Sequence, residues 1–301
     1  MDVERVLPLM SKLNFLEYNV NPNDSVDIAD VIIKLRLLGF QQISTAKNEK
    51  ATMWALNSCV LLLSRHENTS TGLSGLGVNT DVAPDNSRHC ETTGMNIVKD
   101  VNGLNIYSFP LSTFKNTYDK HFITMHEAGS ATSLEFYAGV VYRSTASMNM
   151  FTSELRFKEV KKTPDFITTA CSLNRFNILW DLHNDIGTID TLVIKTNDIS
   201  DTTAKMIANG FESNSLQPQR IIDIEQKYSK DNEFPPMHFV KGWGLNLGGT
   251  SKSYVLEKCF ENALPNLDII ISERHNHNGL NQETLMYYST LNTSQVEEQH
   301  A

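Results

Sequence analysis

Residues 189–211 read IDTLVIKTNDISDTTAKMIANGF and decide how the chain folds. The apolar, β-branched run at 189–195 is typical of a strand. Asp198 follows as a helix N-cap, and apolar residues recur at helical spacing through 199–207 until Gly210 ends the pattern. This stretch predicts a strand, a tight connection and a helix.

The same order of elements recurs along the chain. Residues 15–20 (FLEYNV) predict a strand, 27–38 predict a helix that stops at Gly39, and 51–64 (ATMWALNSCVLLLS) predict one long strand. Weaker copies give βαβ-type modules near 15–66, 70–112, 133–183 and 188–275, as expected for an internally repeated fold. The second copy has little helix, and the third is predicted to have a helix over 144–155.

The length of 301 residues predicts about two domains. We expect a scaffold domain without chemistry of its own at 1–112, a linker at 113–132, and a domain that holds the site at 133–301. A long insertion loop is predicted at 213–250 and a C-terminal helix at about 280–298.

Composition excludes several functional classes. Acidic residues outnumber basic ones by 35 to 26, for a net charge of −9, which argues against nucleic acid as a partner. The longest purely apolar run, 60–63, is too short for a membrane span, and the N-terminus has no signal-peptide pattern. The four cysteines have no CxxC spacing, so neither a zinc ribbon nor a redox dithiol is indicated. We expect a cytoplasmic protein that does not bind membranes.

Two short motifs favour ordinary structural roles. The glycines within 242–249 match neither a phosphate-binding loop nor a dinucleotide-binding turn, so a flexible loop is the better interpretation. His275 and His277 share one face of a strand, but no recognisable ligand spacing accompanies them.

Three segments are similar to motifs of one family. Residues 274–279 (RHNHNG) are similar to its "RHNH-x-G" signature, 189–199 to its "VQHIALKTEDI" strand and helix cap, and 252–257 (KSYVLE) to its "KGYLLQ". The chain therefore resembles 4-hydroxyphenylpyruvate dioxygenase, a vicinal-oxygen-chelate (glyoxalase-like) protein, and its divergent dioxygenase-like relatives. The resemblance spans 15–298 and implies an α+β fold. Two domains of paired βαβββ modules would form open, curved sheets around half-barrel cavities, followed by the C-terminal helix.

The resemblance also implies where an iron site would lie. The family holds Fe(II) with two histidines and one glutamate. Thr191 stands at the second-histidine position and Ile270 at the glutamate position, while the first histidine belongs near Ala138, on a strand that has none. All three ligands are thus substituted, and we expect no metal there.

Other residues complete the expected site. The family glutamine of "KGYLLQ" is Glu257 here, and we expect Glu257, Asn174 and His275 to line the cavity. A replacement metal site using Asp268 and Glu135 is disfavoured, because nothing brings a histidine to them and hard cations need several oxygen ligands.

Three functions follow as hypotheses. The first is a metal-free pseudoenzyme that binds a small aromatic acid or another small molecule. The second is a working Fe(II)-dependent aromatic 2-oxoacid dioxygenase of tyrosine and phenylalanine catabolism, with misaligned ligands. The third is a regulatory partner that forms a homodimer or pairs with an active paralogue. The first is favoured because the scaffold signals are present while the residues that the chemistry requires are not, and it needs no cofactor.

Overall fold

The structure is a computed structural model that describes residues 12–56, 59–79, 86–93, 95–109, 120–124, 134–162, 166–170, 176–213 and 254–275. The first module contains β1 (Lys12–Asn19), α1 (Ile28–Leu37), β2 (Gln41–Ala46), β3 (Ala51–Leu56) and β4 (Cys59–Ser64). The second contains β5 (Gly72–Asn79), β6 (Arg88–Cys90), β7 (Met95–Lys99) and β8 (Asn105–Phe109), followed by β9 (Phe122–Thr124). The third contains β10 (Leu134–Tyr142), a π-helical turn (Met150–Glu154), β11 (Lys158–Lys162), β12 (Phe166–Ala170) and β13 (Asn177–Asp181). The fourth contains β14 (Ile189–Thr196), α2 (Ile199–Ala208), β15 (Tyr254–Leu264) and β16 (Leu267–His275).

The four modules share the pairing of their first and last described strands. The first strand runs parallel to the last in each, as β1 with β4, β5 with β8, β10 with β13, and β14 with β16. Within each half, the first strands of the two modules pair antiparallel, as β1 with β5 and β10 with β14. The predicted α+β fold of paired βαβββ modules with open mixed sheets is confirmed.

The two helices form where local signals start and stop them. The side chain of Asp27 accepts a hydrogen bond from the backbone of Ala29, and that of Asp198 from Asp201, which satisfies N–H groups in the first turn of each helix. Gly39 and Gly210 follow the helices with φ of 94° and 84°, a conformation that glycine adopts without strain. These predicted boundaries are confirmed to within a residue.

Two element predictions need correction. Residues 51–64 are not one strand but the hairpin of β3 and β4, which pair antiparallel down to Leu56 and Cys59. The predicted helix over 144–155 is reduced to the turn Met150–Glu154, where the Leu155 N–H donates to Met150, five residues earlier. Two of the apolar residues that suggested this helix, Phe151 and Leu155, are nevertheless fully buried.

The segment predicted as a linker, 113–132, includes β9, which extends the N-terminal sheet by pairing with β2. The domain boundaries themselves stay a prediction. Most of the insertion loop predicted at 213–250, and all of the C-terminal helix predicted at about 280–298, lie outside the described residues.

Three apolar clusters organise the interior. The largest joins both halves and includes Trp54 and Trp180. A second lies on the opposite face of the N-terminal strands, around Phe15 and Tyr107. A third lies on the equivalent face of the C-terminal strands, around Val193. The sheets are therefore covered on both faces, with a shared core on one side and a separate interior in each half.

No helix in the described ranges is long and apolar enough to cross a membrane.

Candidate functional site

The two positions implied as lost iron ligands lie on neighbouring strands of the C-terminal half. In the parallel pairing of β14 and β16, Thr191 lies opposite Asp268 and Val193 lies opposite Ile270. Because side chains alternate along a strand, all four of these residues are on the same face of the sheet. Thr191 and Ile270 therefore share one face of the sheet, as two positions of a single site would. Their former role as ligand positions stays a prediction.

Aliphatic side chains and a thiol cover this face. Val141, Leu179, Val193, Cys259 and Ile270 form one cluster in which each is at most 1% exposed. Thr191 is 2% exposed, and its hydroxyl donates to Oδ1 of the adjacent Asp190 at 2.9 Å. The side chain of Ile270 is a hydrocarbon, and the hydroxyl of Thr191 already donates to Asp190. Neither is a good ligand for Fe(II), which imidazole and carboxylate groups hold in the facial two-histidine, one-carboxylate arrangement. These two residues do not fit the iron that the sequence resemblance implies.

The remaining predicted site residues are only partly described. Ala138 lies in β10, next to Gly139, which pairs with Val193. Glu257 pairs with Ser272, and His275 ends β16. The structure does not describe the side chains of Ala138, Glu257 and His275. Asn174 lies wholly outside the described residues.

The alternative metal site was expected to use Asp268 and Glu135, and only the first of these has a described side chain. Asp268 accepts a hydrogen bond from the backbone of Asn262 at 2.9 Å, and the side chain of Glu135 is outside the description. Within the described ranges, no three His, Cys, Asp or Glu side chains are grouped as metal ligands.

A charged cluster that the sequence analysis missed lies beside Thr191. Arg143 donates through Nε to Asp190 at 2.8 Å and through a terminal nitrogen to Asp181 at 3.1 Å. Burial raises the pKa of Asp181, but hydrogen bonds from Asn184, the His183 backbone and Arg143 outweigh it, so this pKa lies below its usual value. The two carboxylates hold the guanidinium in place, and the cluster carries a net negative charge. Its members lie 38 and 47 residues apart in sequence, so no local pattern marks it.

A second cluster missed by the sequence analysis lies inside the N-terminal half. The carboxylate of Glu17, on β1, is fully buried. Ser64 donates to its Oε1 at 2.7 Å and Asn105 to its Oε2 at 2.9 Å, while Nε2 of His66 lies 3.5 Å from Oε1. Glu17 was detectable as the one charged residue within FLEYNV, a strand that is otherwise suited to burial. The expectation that this half has no chemistry of its own therefore needs a direct test.

A polar cleft lies where the two halves meet. Its volume is about 610 Å³, within the range of ligand sites, and Ser74, Lys99, Asp190 and Asp268 are among its lining residues. The cleft lies next to the N-terminal ends of β14 and β16.

Several solved structures have a similar architecture, and two of the three described below have dioxygenase in their names. A xylose isomerase-like TIM barrel/4-hydroxyphenylpyruvate dioxygenase fusion protein matches with a TM-score of 0.69 at 12% identity, over 94% of this chain and 53% of that one. This chain thus spans about half the length of the fusion protein. A triple mutant of 4-hydroxymandelate synthase from Streptomyces coelicolor matches with a TM-score of 0.66 at 11% identity, over 98% of this chain and 100% of that one. A 2,3-dioxygenase from Pseudomonas sp. KL28 matches with a TM-score of 0.53 at 9% identity, over 89% and 93%.

The chain has the vicinal oxygen chelate fold. No protein-family model matches the sequence, and no curated protein matches it significantly. At these identities the likeness establishes the fold alone.

Proposed function

We propose that this chain is a dioxygenase-like vicinal-oxygen-chelate protein whose C-terminal half-barrel has lost the iron triad and binds a small molecule without metal. The observation that carries the proposal is the aliphatic cluster on the face shared by Thr191 and Ile270. An aromatic acid is the expected class of ligand because the family resemblance implies it, and aliphatic side chains suit an aromatic ring.

The physical ground is the coordination chemistry of iron. Fe(II) in this class needs three protein ligands that fix one face of its octahedron. An alcohol in place of a histidine and a hydrocarbon in place of the glutamate leave the ion without charge compensation in an apolar cavity. Iron affinity should therefore collapse.

Metal analysis together with oxygen consumption tests this proposal. The purified chain should contain far less than one iron per molecule, and should consume no oxygen with 4-hydroxyphenylpyruvate after incubation with Fe(II). The double substitution Thr191→His and Ile270→Glu should raise iron affinity only if a third ligand exists near residues 135–139. One iron per chain with turnover in the unmodified protein would refute the proposal.

Ligand-induced stabilisation separates a small-molecule binder from a purely regulatory partner. A ligand that binds only the folded state raises the melting temperature, by an amount equivalent to about 2.7 kcal/mol at one hundred times its dissociation constant. We expect 4-hydroxyphenylpyruvate or a related aromatic acid to raise the melting temperature in buffer that contains a chelator. Ile270→Asp, which puts a charge on the aliphatic face, should abolish the shift. If no aromatic acid stabilises the chain, and it forms a stable dimer or binds an active paralogue, the regulatory function is favoured.

The second candidate is a working Fe(II)-dependent dioxygenase of aromatic 2-oxoacids. The names of the similar structures support it, since they include a 4-hydroxyphenylpyruvate dioxygenase fusion and a 2,3-dioxygenase. It requires ligands other than Thr191 and Ile270, and the same iron and oxygen measurements decide between the two candidates.

A further inference from the structure

The interior of the N-terminal half contains a group of inward-facing nitrogen and oxygen atoms. Glu17 supplies a carboxylate that is 0% exposed, and Nε2 of His66 lies 3.5 Å from its Oε1. Oδ1 of Asn105 and the hydroxyl of Tyr107 are also buried, and neither has a hydrogen-bond partner among the described residues. Burial, and then the negative charge of Glu17, raise the pKa of the Tyr107 phenol.

These atoms converge because of the strand pairing. Glu17 lies opposite Gly75 on β5, and Gly75 in turn lies opposite Asn105 on β8. Gly77, two residues further along β5, lies opposite Tyr107. Residues that pair across a sheet, or lie two apart on one strand, point to the same face. Glu17, Asn105 and Tyr107 therefore share the inner face of this half, and His66 reaches them from the segment that follows β4.

Nε2 of His66 and Oε1 of Glu17 are close together but are not at hydrogen-bond distance. At 3.5 Å their separation is longer than an N–H···O hydrogen bond, which lies at about 2.7–3.2 Å. Two atoms bound to one tetrahedral zinc ion, with bonds of about 2.0–2.2 Å, are about 3.4 Å apart. The observed distance fits a long ion-pair contact, and it also fits two atoms that bind one ion.

Charge and access are consistent with this geometry. A buried carboxylate is costly unless it is hydrogen-bonded or paired, and a bound cation would add to the compensation that Ser64, Asn105 and His66 already give Glu17. The side chain of His66 is 26% exposed, whereas that of Glu17 is not exposed at all. His66 is therefore the member of the pair that solvent reaches.

We propose that the N-terminal half binds a divalent transition-metal ion through Oε1 of Glu17 and Nε2 of His66. Oδ1 of Asn105 and the hydroxyl of Tyr107 lie on the same face and supply further oxygen atoms. Zinc suits a mixed imidazole and carboxylate site and serves as the probe. The site is separate from the iron position in the C-terminal half, and the proposed function does not depend on it.

The test uses the untagged full-length chain, stripped of metal with a chelator and then dialysed. Zinc chloride is titrated against a coloured competing chelator to give affinity and stoichiometry, and melting temperatures are measured with and without zinc. Cobalt(II) provides a second readout, since its visible absorption reports imidazole and carboxylate ligands in a tetrahedral site. Glu17→Gln and His66→Asn remove one proposed ligand each. His89→Asn is the matched control, because His89 is exposed in the same half and its ring lies 5.7 Å from that of His121, centroid to centroid.

We expect one zinc per chain, a higher melting temperature with zinc, and a loss of about tenfold or more in affinity for both Glu17→Gln and His66→Asn. His89→Asn should bind zinc as the wild type does. If Glu17→Gln fails to fold, the partly exposed His66→Asn still decides the outcome. An absence of zinc binding in the wild type overturns the proposal. So does binding that persists in His66→Asn, or binding that is lost in His89→Asn, since either places the zinc elsewhere.

Discussion

The carboxylate of Glu17 is held inside the protein by partners from distant parts of the chain. Burial alone raises its pKa, but the contacts with His66, Asn105 and Ser64 outweigh burial, so the pKa lies below its usual value. A carboxyl group whose pKa is depressed on folding stabilises the folded state when it is ionised. Glu17 should therefore make stability depend on pH.

The sign of this dependence follows from the direction of the shift. The contribution of Glu17 is fully present above the pKa of an unfolded glutamate, about 4.3, and is lost as the pH falls through the lower folded value. Urea unfolding from pH 7 to pH 3, in the presence of a chelator, should show a falling free energy of unfolding that is less steep in Glu17→Gln. Glu17→Ala should cost about 1–3 kcal/mol at pH 7, because Ser64 and Asn105 lose their acceptor. An unchanged pH profile in Glu17→Gln would contradict this account.

Gly77 provides a second residue-scale prediction. A Cβ atom at this position would lie 2.3 Å from the ring of Phe15, which covers the β5 backbone. Gly77→Ala should therefore destabilise the chain by about 1–3 kcal/mol through overpacking. The same substitution in a Phe15→Leu background should cost less, because leucine lacks the outer ring atoms. Equal losses in the two backgrounds, measured by urea unfolding, would show that the ring is not responsible.

At the scale of elements, the N-cap of α2 allows a controlled test. Oδ1 of Asp198 accepts a hydrogen bond from the backbone of Asp201 at 2.8 Å. Asp198→Ala should lower the free energy of unfolding by about 1 kcal/mol, whereas Asp198→Asn, which keeps an acceptor, should change it by only a few tenths. If both variants lose the same amount, the charge near the helix terminus matters more than the cap.

The elements that could be predicted from the sequence are those with local signals. Asp27, Asp198, Gly39 and Gly210 act within a few residues of the helix ends that they define, so both helices were predicted closely. The hairpin of β3 and β4 was missed because apolar residues continue on both sides of its turn. Glu17 was missed as a site residue because its hydrogen-bond partners lie 47 and 88 residues away. Thr191 and Ile270 came from the family resemblance, and periodicity alone would not have selected them.

At the scale of the whole molecule, the two halves are joined by polar contacts as well as by the shared core. The Tyr142 hydroxyl donates to Asp100 at 2.5 Å, and the Tyr18 hydroxyl donates to the carbonyl of Pro265 at 2.7 Å. Ile189 also pairs with Leu73, so the sheet continues from one half into the other. These contacts should make the halves unfold together.

Two buried tryptophans allow that expectation to be measured. Trp54 lies in the N-terminal half and Trp180 in the C-terminal half, and both are fully buried. Variants that keep only one of them, with Trp243 also replaced by phenylalanine, report on each half separately. Their fluorescence transitions should coincide with each other and with the loss of circular dichroism. Two separate midpoints would mean that the shared core does not couple the halves.

The separation between the shared core and the two barrel interiors also affects how this chain can evolve. The shared core, which includes Trp54 and Trp180, joins the halves. The inner clusters around Phe15 and Val193 belong to one half each. Substitutions in one interior therefore need not disturb the other interior or the shared core. The two halves can change in chemistry independently while the chain keeps its shape.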